Sequence, residues 1–415
     1  MLYNINMDNF EENTHQQQPK NTQEEITATT QEVATEFSVL FGEKKQIRGK
    51  NVSYKFTRAL AWKVVGIIVL GFFLLNFLGF TLFKQKEVLS QYDWNSSDEF
   101  DESRYKTLST DENGDFRILQ LTDLHILNGV GVLDVRTFDL AKRLVDYSDP
   151  DLIVLTGDIV FTWNNERTFK KVVDFFDEIC KERKIFWCAV FGNHDETGYS
   201  DESVLASVME KSKYCLFEVG PTNLNDGKYG NCIGNYAVNV ADARGNGKCS
   251  LVFMDSNRGA TSADEGVYAP ISRDIVSWYE WFVKGMAQSN GGNTVPSLAF
   301  FHIPLVQSRL MTGDWEMGQN GYYEKVYSSD LDTGLFAKIE ELKSTLATFS
   351  GHDHNNYYQG RLYGSNVLLT ACVSCGYTTY GDTHLKGGRV IDLNITDNQV
   401  TLDTNVVLVG ELPTN

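Results

Sequence analysis

Positive charge is what this 415-residue chain most lacks: 37 Lys and Arg stand against 55 Asp and Glu, giving a formal charge of −18. That balance argues against nucleic acid as a partner, because non-specific binding rests on Lys and Arg contacts to phosphate. Cysteine is the next shortage. Seven is an odd number at ordinary density, so the chain is no disulfide scaffold. Cys372 and Cys375 form a lone Cys-x-x-Cys with no further ligands at matching spacing nearby. A structural zinc site needs four ligands, so these two are read as packing residues or a local bridge. No internal repeat is visible. The length allows one large domain or two ordinary ones, plus tails.

Residues 1–43 are rich in Gln, Thr, Glu and Asn and poor in aromatics. Such a segment buries too little apolar surface to offset its ordering entropy, and a disordered polar tail is expected. Residues 44–63 form a basic segment carrying Lys44, Lys45, Arg48, Lys50, Lys55, Arg58 and Lys63. Residues 64–83 then hold no charge, and Asn76 is the clearly polar member. At about 1.5 Å per residue this run spans the roughly 30 Å hydrocarbon core of a bilayer. A buried core helix is usually shorter and amphipathic, and a cleaved signal peptide has a shorter apolar part nearer residue 1. The expectation is one transmembrane helix acting as a signal-anchor. The basic flank lies upstream, so the positive-inside rule puts the N-terminus in the cytosol and the rest in a lumenal or extracellular space. The sequons at Asn95 and Asn394 agree with a glycoprotein on that side.

Residues 84–114 are polar and acidic without sustained period, which reads as a stalk. From 115 to about 410 the texture is that of a folded α/β domain. Strand patterns at 117–122, 151–155 and 185–190 alternate with helix patterns at 133–147 and 168–184, the βαβαβ signature of a mainly parallel sheet. Strands are then expected near 235–240, 250–254, 297–301, 345–349, 366–371, 389–394 and 399–407, with helices near 272–287 and 333–344. This strand-rich half suggests two sheets packed together inside helical layers. The Trp278-Tyr279-Glu280-Trp281-Phe282 cluster, at helical spacing, is read as core.

The chemistry sits where these strands end. The first runs into Asp123-Leu124-His125, where alternate residues of an extended chain point to one side. The second runs into Gly157-Asp158, and the third into Gly192-Asn193-His194-Asp195. Later strands run into His302 and into Gly351-His352-Asp353-His354. Open α/β sheets place ligands at such carboxyl ends. Imidazole, carboxylate and amide oxygen without thiolate suit divalent first-row metals such as Mn, Fe or Zn. The candidate groups are too many for one tetrahedral ion and suit two ions about 3.5–4 Å apart sharing a carboxylate. Asn355, Tyr377, His384 and Arg389 have weaker cases.

In this order, D-x-H, G-D, G-N-H-D, H and G-H-x-H, the motifs resemble those of the calcineurin-like metallophosphoesterases over roughly residues 115–395. The resemblance implies a four-layer α/β/β/α sandwich and a dimetal site. It implies that Asp123, His125 and His354 bind one ion, that Asn193, His302 and His352 bind the other, and that Asp158 bridges. It further implies a metal-bridging hydroxide as nucleophile, His194 as general acid on the leaving oxygen, and Asp195 as its partner. Gly220-Pro221, Gly234-Asn235-Tyr236, Phe253-Met254-Asp255-Ser256 and Phe301-His302-Ile303-Pro304-Leu305 resemble the purple-acid-phosphatase-like branch of plants and fungi. Purple enzymes carry a ferric-binding Tyr three residues after the Gly-Asp aspartate. Phe161 stands there, so a non-purple di-divalent site is expected. The function implied is a membrane-anchored phosphatase acting on phosphomonoesters. The alternatives are a phosphodiesterase acting on cyclic nucleotides or phosphodiester lipids, or a non-catalytic binding module that keeps the fold.

Overall fold

The computed structural model of the protein describes residues 46–47, 50–51, 90–161, 166–195, 202–245, 247–310, 321–396 and 399–413. The chain divides into two units, Met1–Gly79 and Phe80–Asn415. Among the described residues of the first, β1 (Gln46–Ile47) and β2 (Lys50–Asn51) form an antiparallel pair. The expected tail over 1–43 and transmembrane helix over 64–83 lie outside the described residues. Among the described residues, no helix is long and apolar enough to cross a membrane.

The second unit is a mixed α/β fold with two sheets. The five-stranded sheet grows from the alternating part of the sequence: β4 (Asp115–Leu121), β5 (Leu152–Thr156) and β6 (Phe186–Val190) run parallel. Helices α1 (Val132–Ser148) and α2 (Glu166–Arg183) connect them, and β13 (Gly387–Thr396) and β14 (Gln399–Leu408) complete it in the order β14-β13-β4-β5-β6. All of β5 is buried, which is why it reads as an unbroken apolar run rather than an alternation. Helix α2 buries Phe169, Val172, Val173, Phe176, Ile179 and Cys180, the three-four spacing of one helical face. Helix α1 stops at Asp149, which adopts a left-handed backbone just before Pro150.

The seven-stranded sheet has the order β11-β12-β10-β9-β8-β7-β3. Its members are β3 (Lys106–Ser109), β7 (Tyr236–Ala241), β8 (Lys248–Phe253), β9 (Ser297–Phe300), β10 (Thr345–Ser350), β11 (Gln359–Gly360) and β12 (Leu368–Ala371). Both of its faces are covered. Leu251 and Phe253 of β8 join the core shared with the five-stranded sheet, whereas Val252 packs with α4 (Arg273–Ser289) and α5 (Leu335–Leu342). Trp278, Tyr279 and Phe282 of α4 are buried in that outer core, as their spacing implies. Burying side chains of this size contributes about 1.5–3 kcal/mol each. Helix α3 (Glu202–Glu210) lies against α2.

The stalk expected over 84–114 is not what the described part of it forms. From Ser90 onward the chain is packed on the domain, and β3 extends the large sheet parallel to β7. Phe100 and Tyr105 stack on each other and meet Phe282 edge-on, and Trp94 donates its backbone N–H to Asn223 Oδ1. The physical reason is that β3 is an edge strand, Lys-Thr-Leu-Ser, with one half-buried residue. It therefore carries polar side chains that give no strand signal.

All seven cysteines are buried and unbridged, so Cys372 and Cys375 are packing residues and the local bridge does not form. Burial pushes the thiols of Cys372 and Cys249 up to about 12. An Ellman titration is expected to detect no thiol in the native protein and all seven after denaturation. A disulfide would leave the denatured count two short.

Candidate metal centre

Strands β4, β5 and β6 of one sheet and β9 and β10 of the other deliver their carboxyl ends to one place. Asp123, His125, Asp158 and His354 form one buried cluster of ligand types, and Asp158, His302 and His352 form a second. Asp158 belongs to both. Its Oδ2 lies 3.4 Å from His125 Nε2 and 3.3 Å from His302 Nε2. In the first half, His354 Nε2 is 3.1 Å from His125 Nε2 and 3.3 Å from Asp123 Oδ1. In the second, His302 Nε2 is 3.2 Å from Asn193 Oδ1 and 3.3 Å from His352 Nδ1. The half-buried Asn193 thus completes the second half.

Backbone geometry makes this convergence. Asp123, His125, Asp158 and His352 all have positive φ, between 47° and 76°. Left-handed backbone costs a non-glycine residue on the order of 1–3 kcal/mol, a strain that clusters at functional sites. Asp123 and His125 therefore do not share a side by continuing an extended strand, as the sequence suggests. They lie beyond the end of β4 in a twisted segment whose N–H groups donate to the carbonyls of Gly157 and Asp158.

The outer contacts aim the rings. His302 Nδ1 faces the Thr156 carbonyl at 2.8 Å, and His354 Nδ1 faces the Tyr380 carbonyl at 2.9 Å. A proton held on each Nδ1 leaves the Nε2 lone pair turned inward. Asp123 Oδ2 accepts from Thr122 Oγ1 and from the His352 N–H, while Asp123 Oδ1 is buried without a hydrogen-bond donor. Burial raises the Asp123 carboxyl, but the neighbouring imidazoles of His354, His125 and His302 more than offset that and hold it well below the usual carboxylate range. Burial lowers His302, but the charges of Asp158 and Asp123 carry it up to about 10, so a cation bound there would have to displace its Nε2 proton. His352, buried beside His302, is driven down to about 3. Lone pairs converging on an undonated buried oxygen fit divalent cations shared through one carboxylate.

The remaining candidates separate cleanly. His194 is exposed beside the cluster, its ring centroid 5.2 Å from that of His125, and its backbone N–H donates to Asp158 Oδ1. Asp195 does not face His194: its two carboxylate oxygens accept the backbone N–H groups of Gly192 and Val160, fastening the turn. Burial and the Asp158 charge push its carboxyl up to about 7. Asn355 accepts the Asp382 N–H at the rim, and the Arg136 guanidinium covers the Tyr377 ring. His384 is exposed beside Asp382. Arg389 is a buried staple donating to the carbonyls of Ala371, Tyr357 and Tyr358. Phe161 lies with its ring centroid 6.1 Å from that of His125 and offers no ligand atom.

Sequence reasoning passed over two rings. Tyr380 stacks on His354 with centroids 4.1 Å apart, and Tyr268 meets His352 edge-on at 4.5 Å. Both come from loops without apolar period, so no sequence signal marked them.

The calcineurin-like phosphoesterase family profile matches residues 116–356, which span β4 through the Gly351-His352-Asp353-His354 motif. The chain belongs to the calcineurin-like phosphoesterases. Over 312 residues this phosphoesterase is 27% identical to the probable inactive purple acid phosphatase 28 of Arabidopsis thaliana, covering 68% of this chain and 76% of that protein. It is 28% identical over 311 residues to the probable inactive purple acid phosphatase 29 of the same plant, covering 68% and 78%. It is 26% identical over 318 residues to the phosphatase DCR2 of Saccharomyces cerevisiae, covering 70% of this chain and 53% of the yeast protein.

Family motif glycines follow from close approach. A Cβ at Gly192 would fall on Asp158 Oδ1 and on the Asp158 backbone nitrogen. The phosphoesterase variant Gly192→Ala must therefore displace the shared carboxylate. Its expected cost is about 1–3 kcal/mol of stability, read from urea melts, together with weakened metal uptake read by elemental analysis.

Proposed function

We propose that this chain is a metal-dependent phosphatase that hydrolyses phosphomonoesters. The observation carrying this reading is that Asp158 stands between two histidine-bearing clusters at the carboxyl ends of two sheets. Asp123, His125 and His354 would hold one divalent ion, and Asn193, His302 and His352 the other, with Asp158 common to both. Two such ions, when bound, polarise a phosphoryl oxygen and lower the pKa of water, the chemistry that metal-assisted hydrolysis requires. Mn, Fe and Zn all suit the donor set, and Phe161 in place of a tyrosine argues for a di-divalent centre. The chain's own residues then orient and protonate. His194, exposed beside the ligands and tethered through its N–H to Asp158, is positioned to reach a leaving oxygen.

The test is hydrolysis of 4-nitrophenyl phosphate and of bis(4-nitrophenyl) phosphate by residues 90–415 loaded with Mn, Fe or Zn. Faster cleavage of the monoester supports this reading, faster cleavage of the diester points to a phosphodiesterase, and absence of both points to a binding module. The word "inactive" in the names of two plant relatives keeps that last outcome in view. Against it, every ligand position of the motif set is filled in this sequence.

The same proposal places the domain behind a single membrane span. The uncharged run 64–83 with its basic upstream flank supports an N-terminus in the cytosol and a lumenal or extracellular catalytic domain. Asn95 is exposed and available for glycosylation, whereas the Asn394 amide nitrogen already donates to Asp115 Oδ1 and the Asn113 carbonyl. Endoglycosidase treatment of the protein from cells should raise its mobility, and Asn95→Gln should abolish that change. No shift in the parent protein would contradict this topology.

A further inference from the structure

Lys386 is a buried lysine behind the first half of the metal centre. It is 1% exposed, and among the described residues no carboxylate forms an ion pair with it. Lysine is almost never buried this fully without a charged partner, because the lost hydration is costly. What surrounds its ammonium is the support of two ligand residues. Nζ donates to the Tyr380 carbonyl at 3.4 Å and to Ser374 Oγ at 3.2 Å. The Tyr380 carbonyl is the one that faces His354 Nδ1. Ser374 Oγ in turn donates to the Asp123 carbonyl at 3.0 Å, and the Ser374 N–H donates to the His354 carbonyl at 3.1 Å.

One ammonium therefore braces the loop that holds both Asp123 and His354. The second half has a different support, since His302 Nδ1 rests on the Thr156 carbonyl within the strand end itself. The first half depends on a loop, and Lys386, just before β13, pins that loop down. Van der Waals room at the pin is tight: a Cβ at Gly381 would come within 2.8 Å of Nζ.

We propose that Lys386 is a positioning residue for the Asp123–His125–His354 half-site, acting through the Tyr380 carbonyl and Ser374, and that it has no such role for the His302–His352 half. The proposal rests on the dimetal reading above. Two effects of the ammonium oppose each other. Its charge repels a nearby cation, while its hydrogen bonds hold the His354 ring and the Asp123 backbone in ligating orientation. On this proposal the hydrogen bonds dominate, because loss of the donor frees the loop that carries the Tyr380 carbonyl and Ser374.

The test is Mn(II) titration, followed by calorimetry, of Lys386→Met and Lys386→Gln in the full-length protein. Each is combined with His302→Ala, which leaves the first half-site, and with His354→Ala, which leaves the second. In the His302→Ala background Lys386→Met should weaken Mn(II) binding on the order of tenfold. In the His354→Ala background it should change nothing. Lys386→Gln keeps a neutral donor and should recover most of the loss, which a purely electrostatic role would not. Equal weakening of both half-sites, unchanged affinity, or tighter binding at the first half would each overturn the proposal. Should Lys386→Met fail to fold, judged by its circular dichroism, the same comparison on Ser374→Ala, which removes the hydroxyl between Nζ and the Asp123 carbonyl, decides it: selective loss at the first half supports the proposal, and equal loss or no loss overturns it. Absence of Mn(II) uptake by the parent protein would instead bring down the dimetal reading on which this rests.

Discussion

Asp158→Ala is expected to abolish uptake of both metal ions, not one. The Asp158 carboxylate is the group within 3.4 Å of an imidazole nitrogen in each half of the centre. Removing it would take a ligand from both ions at once. The readout is linkage. A metal that binds the folded state alone stabilises it by about 4 kcal/mol at a thousandfold excess over its dissociation constant, so the parent domain should melt several degrees higher with Mn(II) present. The variant should show no metal-dependent shift while keeping the circular dichroism of the parent. His354→Ala, by contrast, should keep a reduced shift, because the second half retains its ligands. If Asp158→Ala still carried one tightly bound ion, the carboxylate would not be shared and the two clusters would have to be treated as separate sites.

How much of this was legible before the fold is a matter of which residues carry period and which do not. The parallel strands were readable because they are buried on both faces: every residue of β5 is inaccessible, so the sequence shows Leu-Ile-Val-Leu-Thr without interruption. The ligand types were readable because each follows such a run. The edge strand β3 was not readable, since solvent on one side lets it carry Lys, Thr and Ser, which show no apolar alternation. The aim of the ligands was hidden for another reason. Left-handed φ at Asp123, His125, Asp158 and His352 is imposed by packing between segments distant in the chain, and nothing in an Asp or His announces it. The supports of the histidines are backbone carbonyls of Thr156 and Tyr380, which any residue type supplies. Asp195 shows the same limit in reverse. Its side chain is a carboxylate beside a histidine in sequence, yet it is consumed by two N–H groups of its own turn and of the next strand end.

His194→Ala is expected to keep the metals and lose the turnover of unactivated substrates. The side chain is outside both ligand clusters, so metal content and metal-dependent melting should match the parent, which separates this variant from Asp158→Ala. General acid catalysis by a positioned side chain contributes typically about 10²–10⁴-fold. That contribution is owed to the leaving oxygen, and so it scales with how badly that oxygen needs a proton. Loss of His194 should therefore be severe with an alkyl phosphate, whose alkoxide is a poor leaving group. It should be mild with 4-nitrophenyl phosphate, whose phenolate leaves unaided. A uniform loss across both substrates would assign His194 to binding the phosphoryl group rather than to proton transfer. No loss on either, with metals in place, would mean the exposed imidazole does not reach the reacting oxygen, and the geometry at the Gly192–Asp195 turn would then serve only to hold Asp158 in place.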